Sequence, residues 1–213
     1  MENSIEISDL KKRVIEQSLK LFLKYGVKSI TMNDIAKECG ISKRTLYENF
    51  NDKDELLSLV LKTMNAYTRK ERRSLEENSS DVLDYFMKSV KHFGEKTNQI
   101  NPNFYRELNK FYPNIAKEQA DYAENTVIPE MIHLVQRGIA EGVFRYDINT
   151  NLVVQLLMGQ FEYISVSDFA EKVKLPMSEI FQTTIVQFVR SIATEKGLKT
   201  IEEFEANSRG IFA

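Results

Sequence analysis

Glycine and proline are scarce in this chain, eight and four among 213 residues. That scarcity argues against many short strands and tight turns and in favour of long helices. A single cysteine excludes an internal disulfide and fits a reducing, cytoplasmic setting. No apolar run reaches the length that spans a bilayer, and the opening MENSIEISDLKKR lacks the basic-then-apolar order of a signal peptide. No membrane association is therefore expected. An excess of either charge is missing too: the formal net charge is −2, and residues 1–60 carry ten basic and ten acidic side chains. Any attraction to nucleic acid must come from placed groups rather than from bulk charge. Catalytic signatures are also lacking. There is no glycine-rich phosphate loop, no His/Glu metal motif and no nucleophile with its base. His92 and His133, the only histidines, have no cysteine or carboxylate cluster at ligand spacing. No enzyme, cofactor or metal ion is expected.

What the chain does have is helical periodicity over a composition that is 42% hydrophobic. Leu10, Val14, Ser18, Leu21 and Tyr25 form one stripe of a first helix starting at Ser8 or Asp9, and Gly26 stands where a left-handed C-terminal residue belongs. Further helices are expected near 80–96, 102–111, 114–141, 148–170 and 176–195. Pro102, Pro113 and Pro176 sit at their starts, and Pro129 should kink the long one. The charged run RKERR (69–73) reads as a solvated connector. The tail 197–213 reads as weakly ordered, with Ile201 and Phe204 able to dock.

The densest signal is TMNDIAKECGISKRTLYENFNDKDELL, residues 31–57. Thr31 with Asp34 forms a capping-box pattern, and Met32, Ile35, Ala36 and Cys39 follow helical spacing. Gly40 supplies the turn and Ser42 opens a second helix, whose Leu46 and Phe50 face inward. Asp52 reads as the cap of a third, with Asp54 and Glu55 in its first turn. Two short helices around a glycine turn make a helix-turn-helix candidate. With its interior apolar, Ser42, Lys43, Arg44, Thr45 and Tyr47 are left outward at the end of a helix that meets base edges and phosphates in a major groove. Each alone is an ordinary cap or surface residue; the ordered combination points to DNA.

This stretch, preceded by SLKLFLKYGVKSI, resembles the TetR family of transcriptional regulators. Thr31, Ala36, Gly40, Ser42, Leu46, Tyr47, Phe50, Lys53, Glu55, Leu56 and Leu57 stand at the positions of the family pattern, and GIAEGVFRYDIN is similar to the segment before its last two helices. Arg44 replaces a common glycine, and Glu48 and Asn49 replace common rings. The resemblance implies that Thr31, Tyr47, Lys53 and Asn49 hold the DNA backbone, leaving Lys43, Arg44 and Thr45 for base edges. Glu48 is expected to point away from phosphate.

The expected fold is all-α, with an N-terminal three-helix helix-turn-helix DNA-binding domain (1–57) and a C-terminal helical ligand-binding and dimerisation domain (58–213). Leu152, Leu156, Gly159 and Tyr163 line one late helix, and Phe181, Ile185, Phe188 and Ile192 the other. These stripes would either complete one chain's core or form the four-helix homodimer interface that the resemblance favours. Aromatic and sulfur side chains crowd the middle of the chain. They are either plain core or, as the resemblance implies, walls of a pocket for a small apolar or amphipathic effector, with Phe93, Phe104, Phe111, Met131 and Tyr163 as candidates. The resulting expectation is a cytoplasmic, ligand-responsive repressor that binds a palindromic operator in double-stranded DNA as a homodimer. The alternative is an activator, or a regulator controlled by a protein partner.

Overall fold

The computed structural model describes residues 9–207, so Ser8 and the last part of the tail fall outside it. Twelve α-helices follow one another in the described residues: α1 (Asp9–Tyr25), α2 (Met32–Glu38), α3 (Lys43–Asn49), α4 (Lys53–Glu77), α5 (Val82–Thr97), α6 (Phe104–Phe111), α7 (Pro113–Tyr122), α8 (Ile128–Ala140), α9 (Thr150–Val166), α10 (Phe169–Val173), α11 (Met177–Ile192) and α12 (Glu195–Asn207). They form two compact units. One holds the chain up to Arg69 together with Asn103–Gln119; the other holds Lys70–Pro102 and the chain from Ala120 onward. Among the described residues no helix is long and apolar enough to cross a membrane.

In the first unit α1 buries Val14, Ile15, Ser18 and Phe22, one stripe at helical spacing. Gly26 stops the helix at φ +83°, with its N–H on the Phe22 carbonyl at 2.9 Å. The start of α4 is capped as its sequence suggests: Asp52 Oδ1 accepts the Glu55 N–H at 2.8 Å, and the Glu55 carboxylate returns to the Asn51 N–H at 2.7 Å. Leu56, Leu57, Val60 and Leu61 of α4 are buried, as are Phe104 and Leu108 of α6 and Ile115 of α7. Glu118 ties α7 to α4 by accepting from the Ser58 hydroxyl at 2.7 Å and pairing with Lys62 at 3.0 Å.

The second unit is built around Phe86 of α5, whose ring meets those of Phe144 and Phe188 at centroid distances of 6.1 and 6.3 Å. Gly138 of α8 makes room for this packing. A Cβ there would lie 2.2 Å from Phe144 Cδ2 and 2.9 Å from Val82 Cγ1. The link after α8 is pinned to the end of α11, with the Arg145 N–H on the Ile192 carbonyl and the Thr194 N–H on the Val143 carbonyl, both at 2.9 Å.

Three expectations change here. The run 69–73 is not a connector: α4 continues through it to Glu77, and Arg72 is half-buried against Glu130 at 3.0 Å. Pro129 is accommodated by a turn wider than the plain α-helical one. One π-turn, Ala123–Val127, precedes it, and the Ile128 N–H reaches the Ala123 carbonyl. A proline has no N–H to give, and its ring obstructs the carbonyl four residues back, so the wider turn absorbs the misfit. The tail is ordered as α12 through Asn207 because Ile201 is fully buried and Phe204 packs on the same core.

Candidate nucleic-acid interface

The α2–turn–α3 pair is set by local chemistry first. Thr31 caps α2 with both halves of a capping box: its Oγ1 accepts the Asp34 N–H at 3.3 Å, and Asp34 Oδ2 accepts the Thr31 N–H at 2.9 Å. The Thr31 hydroxyl also donates to Asp34 Oδ2 at 2.6 Å, and this bond, with the backbone one, holds the Asp34 carboxyl below the usual carboxylate range. Gly40 closes the turn at φ +63°, sending its N–H to the Lys37 carbonyl at 3.1 Å, while the Ile41 N–H reaches the Ala36 carbonyl at 3.0 Å. Nothing lies within 4 Å of where a Gly40 Cβ would sit, so glycine is needed there for its backbone angle and not for space. Ser42 then caps α3, accepting the Thr45 N–H at 3.0 Å. Ile35, Ala36, Cys39, Leu46 and Phe50 are buried, and Ile41 is half-buried. Burial also pushes the Cys39 thiol pKa up.

The outer face is as the sequence pattern implies. Ser42, Lys43, Arg44 and Tyr47 are exposed, and Thr45 and Asn49 are half-buried. These side chains are not loose. Arg44 Nε donates to Glu48 Oε1 at 2.9 Å, Lys43 Nζ stands 5.7 Å from the Tyr47 ring centroid, and Asn49 Nδ2 donates to the Thr45 carbonyl at 2.8 Å. Thr31 is exposed as well. Lys53 is engaged inside its own unit. Its ammonium turns back to the Val27 carbonyl at 2.5 Å, over the rings of Phe22 and Tyr112 at 5.8 and 5.5 Å. Glu48 and Val27 are the partners that sequence reasoning missed. The four-residue spacing of Arg44 and Glu48 could have revealed the first; the second depends on tertiary contact.

The stripes assigned to a dimer surface separate. On α9, Leu152, Leu156 and Tyr163 are 54%, 59% and 55% exposed, Gly159 lies open beside them, and Val154 and Leu157 face the core. On α11 the expectation is corrected. Ile185, Phe188 and Ile192 are buried at 6%, 8% and 1% exposure, and Phe181 stacks on Phe161 with ring centroids 5.4 Å apart. That stripe completes its own unit's core, and the outward positions of α11 are Glu179, Thr183, Gln187 and Ser191.

The pocket candidates fall in both units. Phe104 is buried in the first unit, where Phe111 lies exposed with Lys28 Nζ 4.8 Å from its ring. In the second unit Met131 packs on the core and Phe93 lies edge-on to His92. Only Tyr163 borders the cleft of about 360 Å³ between α9, α10 and α11, with Gln160, Phe169, Leu175, Thr183 and Thr184 among its other walls. An aromatic-rich sequence shows that rings will be buried; it does not show which of them will share a cavity.

A capped helix pair with an apolar inside and a row of donors outside defines a DNA-binding helix-turn-helix protein. Comparison agrees. Residues 14–60 match the family described as bacterial regulatory proteins, tetR family. An HTH-type transcriptional regulator of Staphylococcus aureus (strain bovine RF122 / ET3-1) is 33% identical over 128 residues, covering 52% of this chain and 69% of the relative. An uncharacterized HTH-type transcriptional regulator of Bacillus subtilis (strain 168) is 25% identical over 187 residues, covering 87% and 96%. The crystal structure of a TetR transcription regulator from Haloarcula marismortui ATCC 43049 superposes with TM-score 0.71 at 17% identity, over 88% of this chain and all of that one. The chain belongs to the TetR family and is a DNA-binding transcriptional regulator, not an enzyme.

Proposed function

We propose that the protein is a repressor that binds a palindromic operator as a homodimer and releases it when a small apolar or amphipathic effector binds. The observation that carries the DNA-reading part is the two-sided α3. Ser42, Lys43, Arg44 and Tyr47 face solvent while Leu46 is fully buried. Lys43, Arg44 and Thr45 are assigned to base edges, and Thr31, Ser42, Tyr47, Asn49 and Lys53 to the DNA backbone, with Lys53 leaving the Val27 carbonyl to do so. In this reading the DNA contacts lie within residues 1–57, and effector binding and dimerisation fall to 58–213.

The exposed apolar row of α9 supports the dimer. Two copies related by a twofold axis would bury it and present two reading heads to two half-sites. The cleft beside Tyr163 is large enough for a small ligand and mainly apolar in its lining, which supports an effector of that character. Effector and operator affinities must then be coupled reciprocally.

Selection of random duplex DNA by the purified protein at moderate salt, followed by sequencing, tests the reading. An inverted repeat is expected, bound by a species of twice the chain mass. Enrichment of a single half-site without a repeat would overturn the dimeric reading, and enrichment of nothing would overturn the operator itself. A small molecule that co-purifies and lowers operator affinity would support the effector; a protein that does so would favour the alternative.

A further inference from the structure

Within α3, Arg44 is held by its own helix. Nε donates to Glu48 Oε1 at 2.9 Å, one turn away, while the Arg44 side chain as a whole remains 88% exposed. A guanidinium has one Nε–H and two terminal NH₂ groups. Using Nε on Glu48 leaves both terminal groups as a fork with no partner among the described residues, on a side chain that is mostly exposed. That fork is the part of arginine that fits the O6 and N7 acceptors of guanine. Without Glu48, a side chain with this much freedom has an equally good alternative, since every position on a duplex offers a phosphate.

From this geometry we infer that Glu48 is a specificity-determining residue: it positions the Arg44 fork for a guanine and, by its negative charge, disfavours the binding of Arg44 and of α3 to phosphates in general. The inference rests on the assignment of Arg44 to a base edge. The exposed pair contributes little to folding, since solvent screens an isolated surface pair. Its effect lies in where the arginine points and in what the helix repels. The charge argument includes the cations facing the same side: Lys43, drawn toward the Tyr47 ring, and Arg44 are the positive groups on the outer face of α3, and Glu48 offsets one of them.

Two substitutions separate the two effects. Glu48→Gln keeps an oxygen that can accept from Nε and removes the charge; Glu48→Ala removes both. Glu48 is exposed, so both variants should fold, which circular dichroism checks. Base preference is read from random-duplex selection and from binding to the selected site with one base pair changed at a time. Affinity for unrelated duplex is read across a salt series. Both variants should bind unrelated duplex more tightly than the parent, with a steeper salt dependence, by up to about one in the slope of log K against log salt. Glu48→Ala should also lose guanine preference at one base pair per half-site, by about fivefold, the lower end of what a two-point guanine contact supplies. Glu48→Gln should retain it.

Arg44→Ala is the reference. If it erases a guanine preference that Glu48→Ala leaves intact, the positioning role is overturned and the base assignment stands. If Arg44→Ala leaves every base preference unchanged, the base assignment fails and the inference fails with it. Unrelated-duplex affinity equal to the parent's in both Glu48 variants overturns the repulsive role.

Discussion

Glu107 of α6 accepts a hydrogen bond from the Lys28 backbone N–H at 2.8 Å, joining residues 79 positions apart in sequence. The carboxylate thereby holds α6 against the turn that leads from α1 into the reading head. The same oxygen fills the space beside Gly26, lying 2.7 Å from where a Cβ would be. Gly26→Ala therefore meets two penalties, a side chain at φ +83° and a clash with Glu107. The expected loss is about 1 kcal/mol or more, read as a lower midpoint in denaturant unfolding. In a Glu107→Ala background, where the Lys28 hydrogen bond is already lost, Gly26→Ala should cost less, by the part due to the clash. A Gly26→Ala midpoint equal to the parent's would contradict the strain argument.

The capping box predicts a pH dependence. Thr31 keeps the Asp34 carboxyl below its usual range through its side-chain and backbone hydrogen bonds. A depressed folded value means that this stabilisation is present above the ordinary carboxylate range and fades as pH falls through the folded value. Unfolding of the parent should become easier in acid across that window. Thr31→Ala should cost about 1 kcal/mol at neutral pH through the lost cap, and should shrink the contribution of Asp34 to the acid slope. Parallel pH profiles for parent and variant would argue against the linkage.

Lys53 has a structural partner and a proposed DNA partner. Lys53→Met keeps the apolar stem between Phe22 and Tyr112 and removes the donor to the Val27 carbonyl. Stability should fall by about 1–2 kcal/mol, since a charge-assisted hydrogen bond is lost. If Lys53 also meets a phosphate, the salt slope of DNA binding should drop by about one. An unchanged slope with lowered stability would make Lys53 a structural residue only.

How much of this was legible in the sequence depends on the range of the interaction. Thr31, Gly40, Ser42 and Asp52 were readable because caps and turns are fixed by residues within four positions. The inner and outer faces of α3 followed from the same periodicity. Ile185 and Leu156 were not separable in this way. Both sit on apolar stripes, but α9 is apolar on two sides, and sequence alone does not say which side meets its own core. The partner that half-buries Arg72 in the run 69–73 is Glu130, which lies far along the chain and so could not be read locally.

That distinction sets a further test. Leu156→Asp changes a residue that is 59% exposed and should leave helicity and midpoint near the parent's, while converting the proposed dimer to a monomer in sedimentation and weakening operator binding. Ile185→Asp places a charge inside the core and should unfold the second unit. A dimer that survives Leu152→Asp and Leu156→Asp together would exclude α9 as its seam.

Cys39 is the one thiol in the sequence, and it faces the interior of the α2–α3 pair. A thiol reagent added from solvent can therefore label the native molecule at one place only, and only when the two short helices part. The labelling rate becomes a clock for that opening, readable without any engineered probe. Operator bound across α3 should slow the clock, so DNA occupancy could be followed by chemistry on the buried side of the helix pair.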